Sequence, residues 1–220
     1  MFEITADELI KDEYNKFDIS KVNILDILRE QKEMRLKGNL YHQTQISFAY
    51  NTNHFKLIDY MLDIADKKLT EKMIKDFHKI LKAGTLDSRA EWFNVGEYKQ
   101  RPNMIGNGIK TTLPNNVGKE MSKLMEWYNS LKQVTIKEII EFHYRFESIH
   151  PFQEGNGRVG RIIMFKECLK NNIVPFIIHD VDKLFYFRGL RDYKKDKGYL
   201  TDTCLNAQDQ YAKMIEYYMG

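Results

Sequence analysis

Apolar residues recur at helical spacing through most of the chain. From Ile19 to Leu36 they form one stripe, and Gly38 follows it as a helix-ending residue. A second stripe runs over 55–65, and a third over 73–81 begins after Thr70, a residue type that caps helix N-termini. The stripe positions are Val22, Leu25, Leu28, Met34, Phe55, Ile58, Leu62, Ala65, Met73, Phe77, Ile80 and Leu81. The pattern predicts a fold dominated by α-helices.

Two further helices are predicted on either side of a polar turn. Thr135 and Glu138 have the spacing of a capping box, which predicts a helix that begins there and runs to Ile149. After the turn, a second stripe predicts a central helix that ends near Asn171 and Asn172. The apolar positions of the two helices are Ile139, Phe142, Phe146, Ile149, Ile162, Phe165 and Leu169. The turn is therefore held between two core helices.

The segment 93–114 has a different pattern. Val95, Tyr98, Ile105 and Ile109 alternate weakly with polar residues around Gly106-Asn107-Gly108, which favours a β-hairpin. An ordinary surface loop explains the same letters, and the residues alone leave both interpretations open.

Composition sets limits on the class of protein. The 220 residues are 43% hydrophobic, enough for one domain with a sizeable core. Thirty-four basic and 31 acidic residues leave a formal charge of +3, which favours neither nucleic acid nor a membrane surface as partner. There is no apolar run near about 18 residues and no signal-peptide pattern, so we expect a cytoplasmic protein. Cys168 and Cys204 are expected to be free, buried thiols.

The turn itself, HPFQEGNGRVGR from His150 to Arg161, concentrates groups suited to phosphate chemistry. A histidine titrates near pH ~6.5, so His150 can act as a general base. Pro151 disfavours helix at the preceding residue, which places the imidazole on a loop. Gly155 and Gly157 allow close approach of backbone N–H groups to an anion at a helix N-terminus.

Charged side chains complete this candidate nucleotide site. Arg158 and Arg161 are three residues apart, so both guanidinium groups lie on one helix face and suit phosphate oxygens. Glu154 would repel phosphate unless a divalent cation, Mg²⁺, lay between them. A P-loop is excluded because Arg161 and Ile162 stand where it needs Lys and Ser or Thr. Zinc held by a helical His150–Glu154 pair is excluded because Pro151 interrupts the helix.

These twelve residues resemble the signature of the Fic (filamentation induced by cAMP) family, H-P-F-x-[DE]-G-N-G-R-x-x-R, at every defined position. The resemblance implies an all-α bundle around a central motif helix, with a small β-hairpin flap. It implies a protein adenylyltransferase that moves AMP from Mg·ATP to a Ser, Thr or Tyr hydroxyl of a target protein or of itself. The implied roles are His150 as base, Phe152 as buried anchor, Glu154 as Mg²⁺ ligand, Gly155, Asn156 and Gly157 as anion-binding turn, and Arg158 and Arg161 as phosphate ligands.

The resemblance extends beyond the signature. Gly96-Glu97-Tyr98-Lys99 is similar to the start of the family's flap, which implies that a target segment docks near Gly96 to Ile109. Tyr186 and Phe187, with Tyr193, resemble aromatic walls of the adenine pocket, although a helical aromatic stripe is more often core. The chain is interpreted as one domain, with 1–53 as an N-terminal helical extension and 54–220 as the family core and C-terminal helices.

One family feature is absent from the sequence. Many relatives carry an inhibitory motif, [ST]-x-x-x-E-[GN], and no stretch of the 220 residues matches it; Ser47 is followed by Asn51 where the glutamate would stand. The hypothesis is a chain that binds ATP productively unless a partner protein or a homodimer restrains it. Two alternatives remain: a phosphotransferase or other nucleotidyl or phosphodiester transferase, and a non-catalytic nucleotide-binding module.

Overall fold

The computed structural model describes residues 18–35, 37–48, 52–105 and 109–219. Over these ranges the protein is an α-helical bundle with one two-stranded sheet, as the sequence predicted. None of the helices in these ranges combines the length and the apolar character that a membrane crossing requires. The helices are α1 (Ile24–Met34), α2 (Leu40–Phe48), α3 (Thr52–Asp63), α4 (Glu71–Lys82), α5 (Pro114–Ser130), α6 (Ile136–Ile149), α7 (Asn156–Lys170), α8 (Lys183–Asp192) and α9 (Gly198–Met219), and the strands are β1 (Met104–Ile105) and β2 (Ile109–Lys110).

The single helix predicted over 19–36 is wrong at its start. Residues Ile19–Lys21 form a separate 3-10 turn, and the Asn23 side chain then caps α1 by accepting a hydrogen bond from the amide of Leu25 at 3.1 Å. An Asn at this position competes for backbone donors, which starts a new helix rather than continuing the old one. At the other end, α1 stops at Met34, whose side chain is 53% exposed, and the predicted end at Leu36 lies outside the described residues.

The other helix starts follow the predicted caps. The Thr70 hydroxyl accepts a hydrogen bond from the Met73 amide at the start of α4. Thr135 and Glu138 form the capping box of α6, in which the Glu138 carboxylate accepts from the Thr135 amide at 2.9 Å. Each cap stabilises a helix by about 1 kcal/mol, and its partners are a few residues apart in sequence.

The motif helix α7 lies at the centre of the bundle. It packs against α1, α3, α4 and α6, and its predicted apolar positions Ile162, Phe165 and Leu169 are all buried. Phe165 makes edge-to-face contacts with Phe48 at 5.2 Å and with Tyr211 at 5.4 Å between ring centroids, which ties α2 and α9 to α7. The bundle therefore fixes α7 from several sides.

The two cysteines and the hairpin were also predicted from the sequence. Cys168 and Cys204 are buried and free, as expected. β1 and β2 pair antiparallel in the register Met104–Lys110 and Ile105–Ile109, which confirms the hairpin over the surface-loop alternative. The Gly106-Asn107-Gly108 turn lies outside the described residues.

Candidate active site

The loop between α6 and α7 begins where Pro151 predicts it. α6 ends at Ile149, and His150 takes the left-handed conformation (φ 52°, ψ 61°) as its C-cap while its amide donates to the carbonyl of Phe146 at 2.9 Å. A residue before proline avoids the right-handed helical region, so the chain turns away from the α6 axis at this point. The imidazole is therefore carried on a loop, as expected.

Phe152 and Asn156 give this loop its shape. The Phe152 side chain is fully buried, which confirms the predicted anchor, and it stacks on the His78 ring of α4 with 4.0 Å between centroids. The Asn156 side chain accepts from the Phe152 amide and donates to the Phe152 carbonyl, each at 2.8 Å. The amide group of Asn156 is thus occupied in closing the loop, and only its main-chain N–H is left for the anion-binding role implied by the sequence.

His78 supports the loop from α4 and was missed in the sequence. The Gly96 amide donates to Nδ1 of His78 at 2.9 Å, so Nδ1 is the unprotonated nitrogen. Nε2 then carries the hydrogen and donates to the carbonyl of Glu154 at 3.1 Å. Burial lowers the pKa of His78 to about 4, which keeps the ring neutral and this arrangement unchanged near neutral pH.

The start of α7 presents free backbone donors. Gly155 is the N-cap in a left-handed conformation (φ 85°) and has no side chain to cap the helix. The first intrahelical hydrogen bond runs from Val159 to the Gly155 carbonyl, so the amides of Asn156, Gly157 and Arg158 have no partner within the helix. Together with the helix dipole, these three N–H groups favour an anion at this end.

The two motif arginines lie in one cleft, as their spacing predicted. Arg158 and Arg161 line it from α7, while Ser47 and Phe48 at the end of α2 and His54 of α3 line the opposite side. We call this space the arginine cleft. The end of α2 and the start of α3, on either side of the segment where the sequence lacks the inhibitory glutamate, therefore border the motif arginines.

Glu154 is held by two cations. Its carboxylate accepts from Arg158 at 2.7 Å and from Lys82 of α4, which also pairs with Asp87 at 2.8 Å. Lys82 is almost fully buried, whereas the Glu154 side chain is 49% exposed. In the described part of the chain, no three His, Cys, Asp or Glu side chains are grouped as a metal site. The Mg²⁺ role of Glu154 stays a prediction.

Behind the His150 ring lies a buried polar wall that we did not predict. It consists of Glu147 and His143 on α6 and Tyr186 on α8. Nε2 of His143 lies 2.6 Å from the Tyr186 hydroxyl, and Nδ1 of His150 lies 3.6 Å from Oε2 of Glu147. The only signal in the sequence was the spacing, because residues 143 and 147 are one turn apart on α6 and residue 150 follows three positions later.

Burial and charge set the protonation states of this wall. Burial lowers the pKa of His143 to about 4 and raises the pKa of the Tyr186 hydroxyl, so both are neutral near pH 7. Burial also raises the pKa of Glu147, but the neighbouring His150, His143 and Arg161 lower it by more, and the net pKa is below its usual value. Glu147 is therefore a buried carboxylate anion near neutral pH.

The hairpin is fastened to the loop of His150 through Lys99. The Lys99 amide donates to the Pro151 carbonyl at 2.8 Å, and its buried ammonium donates to Asn103 at 2.6 Å, Thr111 at 2.8 Å and the Ile149 carbonyl at 3.3 Å. Burial lowers the pKa of Lys99 to about 8. The base of the hairpin and the loop thus share one hydrogen-bonded cluster, which fixes their separation.

The aromatic residues predicted to line an adenine pocket differ in their exposure to solvent. The Tyr186 ring is only 2% exposed, packed beside His143 and 5.9 Å from the Arg161 guanidinium, so it offers no open face to a base. Tyr193 is also buried and stacks on Tyr144. Phe187 is 46% exposed. The structure thus corrects the prediction for Tyr186, whose hydroxyl faces the buried wall, while that for Phe187 remains a prediction.

Known proteins share this motif region and this fold. The family model described as Fic/DOC family matches residues 68–168. A probable protein adenylyltransferase of Aquifex aeolicus is 32% identical over 103 residues, and the match covers 46% of this chain and 32% of that relative. The chain thus spans about a third of that relative's length.

Two solved structures resemble the fold at lower identity. A Fic domain-containing signalling protein from Bacteroides thetaiotaomicron superposes with a TM-score of 0.56 at 21% identity, covering 88% of this chain and 83% of that one. BepC of Bartonella tribocorum, solved with bound AMPPNP, superposes with a TM-score of 0.51 at 15% identity, covering 78% of this chain and 94% of that one.

Proposed function

Since the chain belongs to the Fic/DOC family through residues 68–168, we propose that it is a protein adenylyltransferase that transfers AMP from Mg·ATP to a Ser, Thr or Tyr hydroxyl. The observation that carries this proposal is the position of His150. It lies on the loop that leads into the N-terminus of α7, whose first three amides have no partner within the helix and whose Arg158 and Arg161 line the arginine cleft. One loop-to-helix segment therefore carries a base, an anion site and two cations.

The triphosphate is proposed to bind along the start of α7. The free amides of Asn156, Gly157 and Arg158 donate to phosphate oxygens, and Arg161 reaches them from the next turn. Arg158 now pairs with Glu154, and phosphate, with more charge than one carboxylate, would draw its guanidinium into the cleft. BepC, a protein of similar fold, was solved with bound AMPPNP, which supports a nucleotide as the ligand.

Glu154 would hold Mg²⁺ together with the nucleotide phosphates. Its half-exposed carboxylate suits the role, because Mg²⁺ in nucleotide sites commonly takes one or two carboxylates and several phosphate or water oxygens. The metal would neutralise charge on the leaving pyrophosphate. When Arg158 moves to the phosphates, one oxygen of Glu154 is released for this purpose while Lys82 still holds the other.

The transfer itself requires one base and a stabilised leaving group. His150 takes the proton of the target hydroxyl, whose oxygen bonds to the α-phosphorus while the bond from that phosphorus to the bridging oxygen breaks. Pyrophosphate leaves with the electron pair of the broken bond. The amides of α7 and Arg161 stabilise the charge that develops on phosphate oxygens in the transition state.

The target segment is proposed to dock on the hairpin near Gly96 to Ile109. An extended peptide could add to a strand edge by main-chain hydrogen bonds, and the Lys99 cluster holds that edge at a set distance from His150. Residues 54–220 would supply this catalytic core, with 1–53 as an N-terminal extension.

The mass of the modified protein tests the reaction. Incubation with Mg·ATP and a cell lysate should add about 329 Da to a target, or to the chain itself, because AMP is transferred with loss of pyrophosphate. A gain of about 80 Da would instead identify the phosphotransferase alternative. Tight ATP binding without any modified protein would identify a non-catalytic nucleotide-binding module.

We further propose that the chain lacks inhibition from within. The end of α2 and the start of α3 line the arginine cleft, and a glutamate in the segment between them could pair with Arg161 and exclude phosphate. We expect Asn51→Glu, which places a glutamate four residues after Ser47, to lower the rate of AMP transfer about tenfold or more, as one charged pair is worth 1–3 kcal/mol. Labelled-ATP transfer measures the rate.

The matched control for this variant is Asn51→Gln, which has the same length without the charge. It should transfer AMP at the rate of the unchanged chain. Equal rates for Asn51→Glu and Asn51→Gln would show that a charge in this segment does not reach the cleft and would contradict the proposal. Restraint by a separate partner or by a homodimer would then remain.

A further inference from the structure

We propose that Glu147 is a positioning residue for His150, holding a proton on Nδ1 so that Nε2 is the nitrogen that accepts the proton of the target hydroxyl. The proposal deepens the function proposed above and depends on it only for the identity of the reaction. The arrangement of the two side chains can be tested without any transfer reaction.

Two buried polar atoms without a hydrogen-bond partner among the described residues, Nδ1 of His150 and Oε1 of Glu147, carry this inference. Nδ1 of His150 is buried, and among the described residues it has no hydrogen-bond partner. The nearest carboxylate oxygen is Oε2 of Glu147 at 3.6 Å, and the Glu147 side chain is only 7% exposed. Buried polar groups in native proteins nearly always find a partner. The separation is too long for a hydrogen bond, but such bonds are often long without substrate and shorten when the substrate binds.

The neighbouring groups restrict the position of the Glu147 carboxylate. The neutral Tyr186 hydroxyl can donate to Nε2 of His143 at 2.6 Å, which leaves the hydrogen of the neutral ring on Nδ1. A Cβ added at Gly160 would lie 2.8 Å from both Nδ1 of His143 and Oε1 of Glu147. Both atoms therefore pack closely against the α7 backbone at Gly160. Glu147 is therefore confined between His143, Gly160 and His150.

The charge of Glu147 serves the proposed step in two ways. A carboxylate accepts hydrogen bonds and cannot donate, so it selects the tautomer of His150 with hydrogen on Nδ1. When Nε2 takes the proton of the hydroxyl, the ring becomes a cation, and the adjacent anion stabilises it in a site of low dielectric. Arg161 lies near the same carboxylate from α7, so substitutions at Glu147 must also be checked for nucleotide binding.

The tautomer of His150 gives a direct readout. In ¹⁵N-labelled protein at pH 8 without nucleotide, ring nitrogen shifts should show His150 protonated on Nδ1, with assignment by loss of the signal in His150→Asn. In Glu147→Leu, which removes the acceptor at similar volume, the proton should move to Nε2. Glu141→Gln is the control, because Glu141 lies on the same helix and pairs with Arg145 and Lys197 away from His150; it should leave the His150 signal unchanged.

Kinetics then connect the arrangement to the reaction. We expect Glu147→Leu to lower the self-modification rate at saturating ATP about 10- to 100-fold, less than the loss of the base itself because His150 remains, with the half-saturating ATP concentration changed less than about threefold. Glu147→Gln should fall between Leu and the unchanged chain, since its amide oxygen can accept but carries no charge. Glu141→Gln should transfer AMP normally.

The outcomes separate the two proposals. An unchanged His150 tautomer in Glu147→Leu, or a normal saturating rate, would overturn the positioning role. If Glu147→Leu does not fold, the same criteria apply to Glu147→Gln, for which a normal saturating rate would overturn it. If the unchanged chain transfers no AMP, the adenylyltransferase proposal fails, and the tautomer comparison alone still decides whether Glu147 orients His150.

Discussion

Replacing His150 with alanine is expected to lower AMP transfer by about 10²- to 10⁴-fold, the range that a positioned general base contributes. In the described residues His150 is the one histidine on the loop that precedes the α7 amides, whereas His78 and His143 are buried in helices and engaged in hydrogen bonds. ATP binding should change little, because the amides and Arg161 remain. Transfer from labelled ATP and titration of ATP binding measure the two quantities.

A second substitution separates chemistry from backbone strain at this position. His150 has φ 52°, where alanine is disfavoured and asparagine is tolerated, so His150→Asn removes the base with less strain. Both variants should be inactive, and His42→Ala, a histidine of α2 whose Nδ1 accepts from the Gly38 amide, should be active. Substantial transfer by His150→Asn would contradict the base assignment.

Replacing Arg161 with alanine is expected to weaken ATP binding about tenfold or more and to lower the saturating rate about 10²- to 10³-fold, as for loss of one transition-state donor. Arg161 extends from the second turn of α7 into the arginine cleft, beside Tyr186. Arg161→Lys should recover part of the binding, because the charge remains while the two-pronged geometry is lost. Titration of ATP binding and the transfer rate at saturating ATP measure these effects.

Arg191→Ala is the matched control, since it removes one guanidinium from an exposed pair with Asp192 on α8. It should bind ATP and transfer AMP as the unchanged chain does. If Arg161→Ala binds and reacts normally as well, the phosphates do not occupy the arginine cleft, and the nucleotide position proposed here is wrong.

Much of the fold and the centre of the site follow from interactions between residues close together in sequence. The capping box at Thr135 and Glu138 and the turn at His150-Pro151 each depend on backbone preferences within a few residues. The same is true of the glycine at the start of α7 and of the common face of Arg158 and Arg161. Such features can be predicted because the interacting residues are close together in the chain, and the sequence alone therefore identifies both partners.

Two sequence predictions differ from the structure. One missed a local interaction, and the other missed a contact between residues far apart in the sequence. The Asn23 side chain caps α1, so the apolar stripe that begins at Ile19 is divided between a 3-10 turn and a helix. Apolar spacing alone does not reveal this competition between the side chain and the helical backbone. Tyr186 looked like part of an adenine pocket. Packing of α8 against α6 buries its ring and turns its hydroxyl to His143 instead.

What the sequence alone determined is the motif loop and the helix that follows it, since these depend on short-range geometry and residue type. Only the tertiary structure decided that Lys82 holds Glu154, that Lys99 joins the hairpin to the loop and that Glu147 lies behind His150. The first two contacts bring together groups 72 and 50 residues apart, and the third gains its burial from α7 and α8. The free energy of those contacts comes from how helices pack, and a periodic apolar pattern does not specify which faces meet.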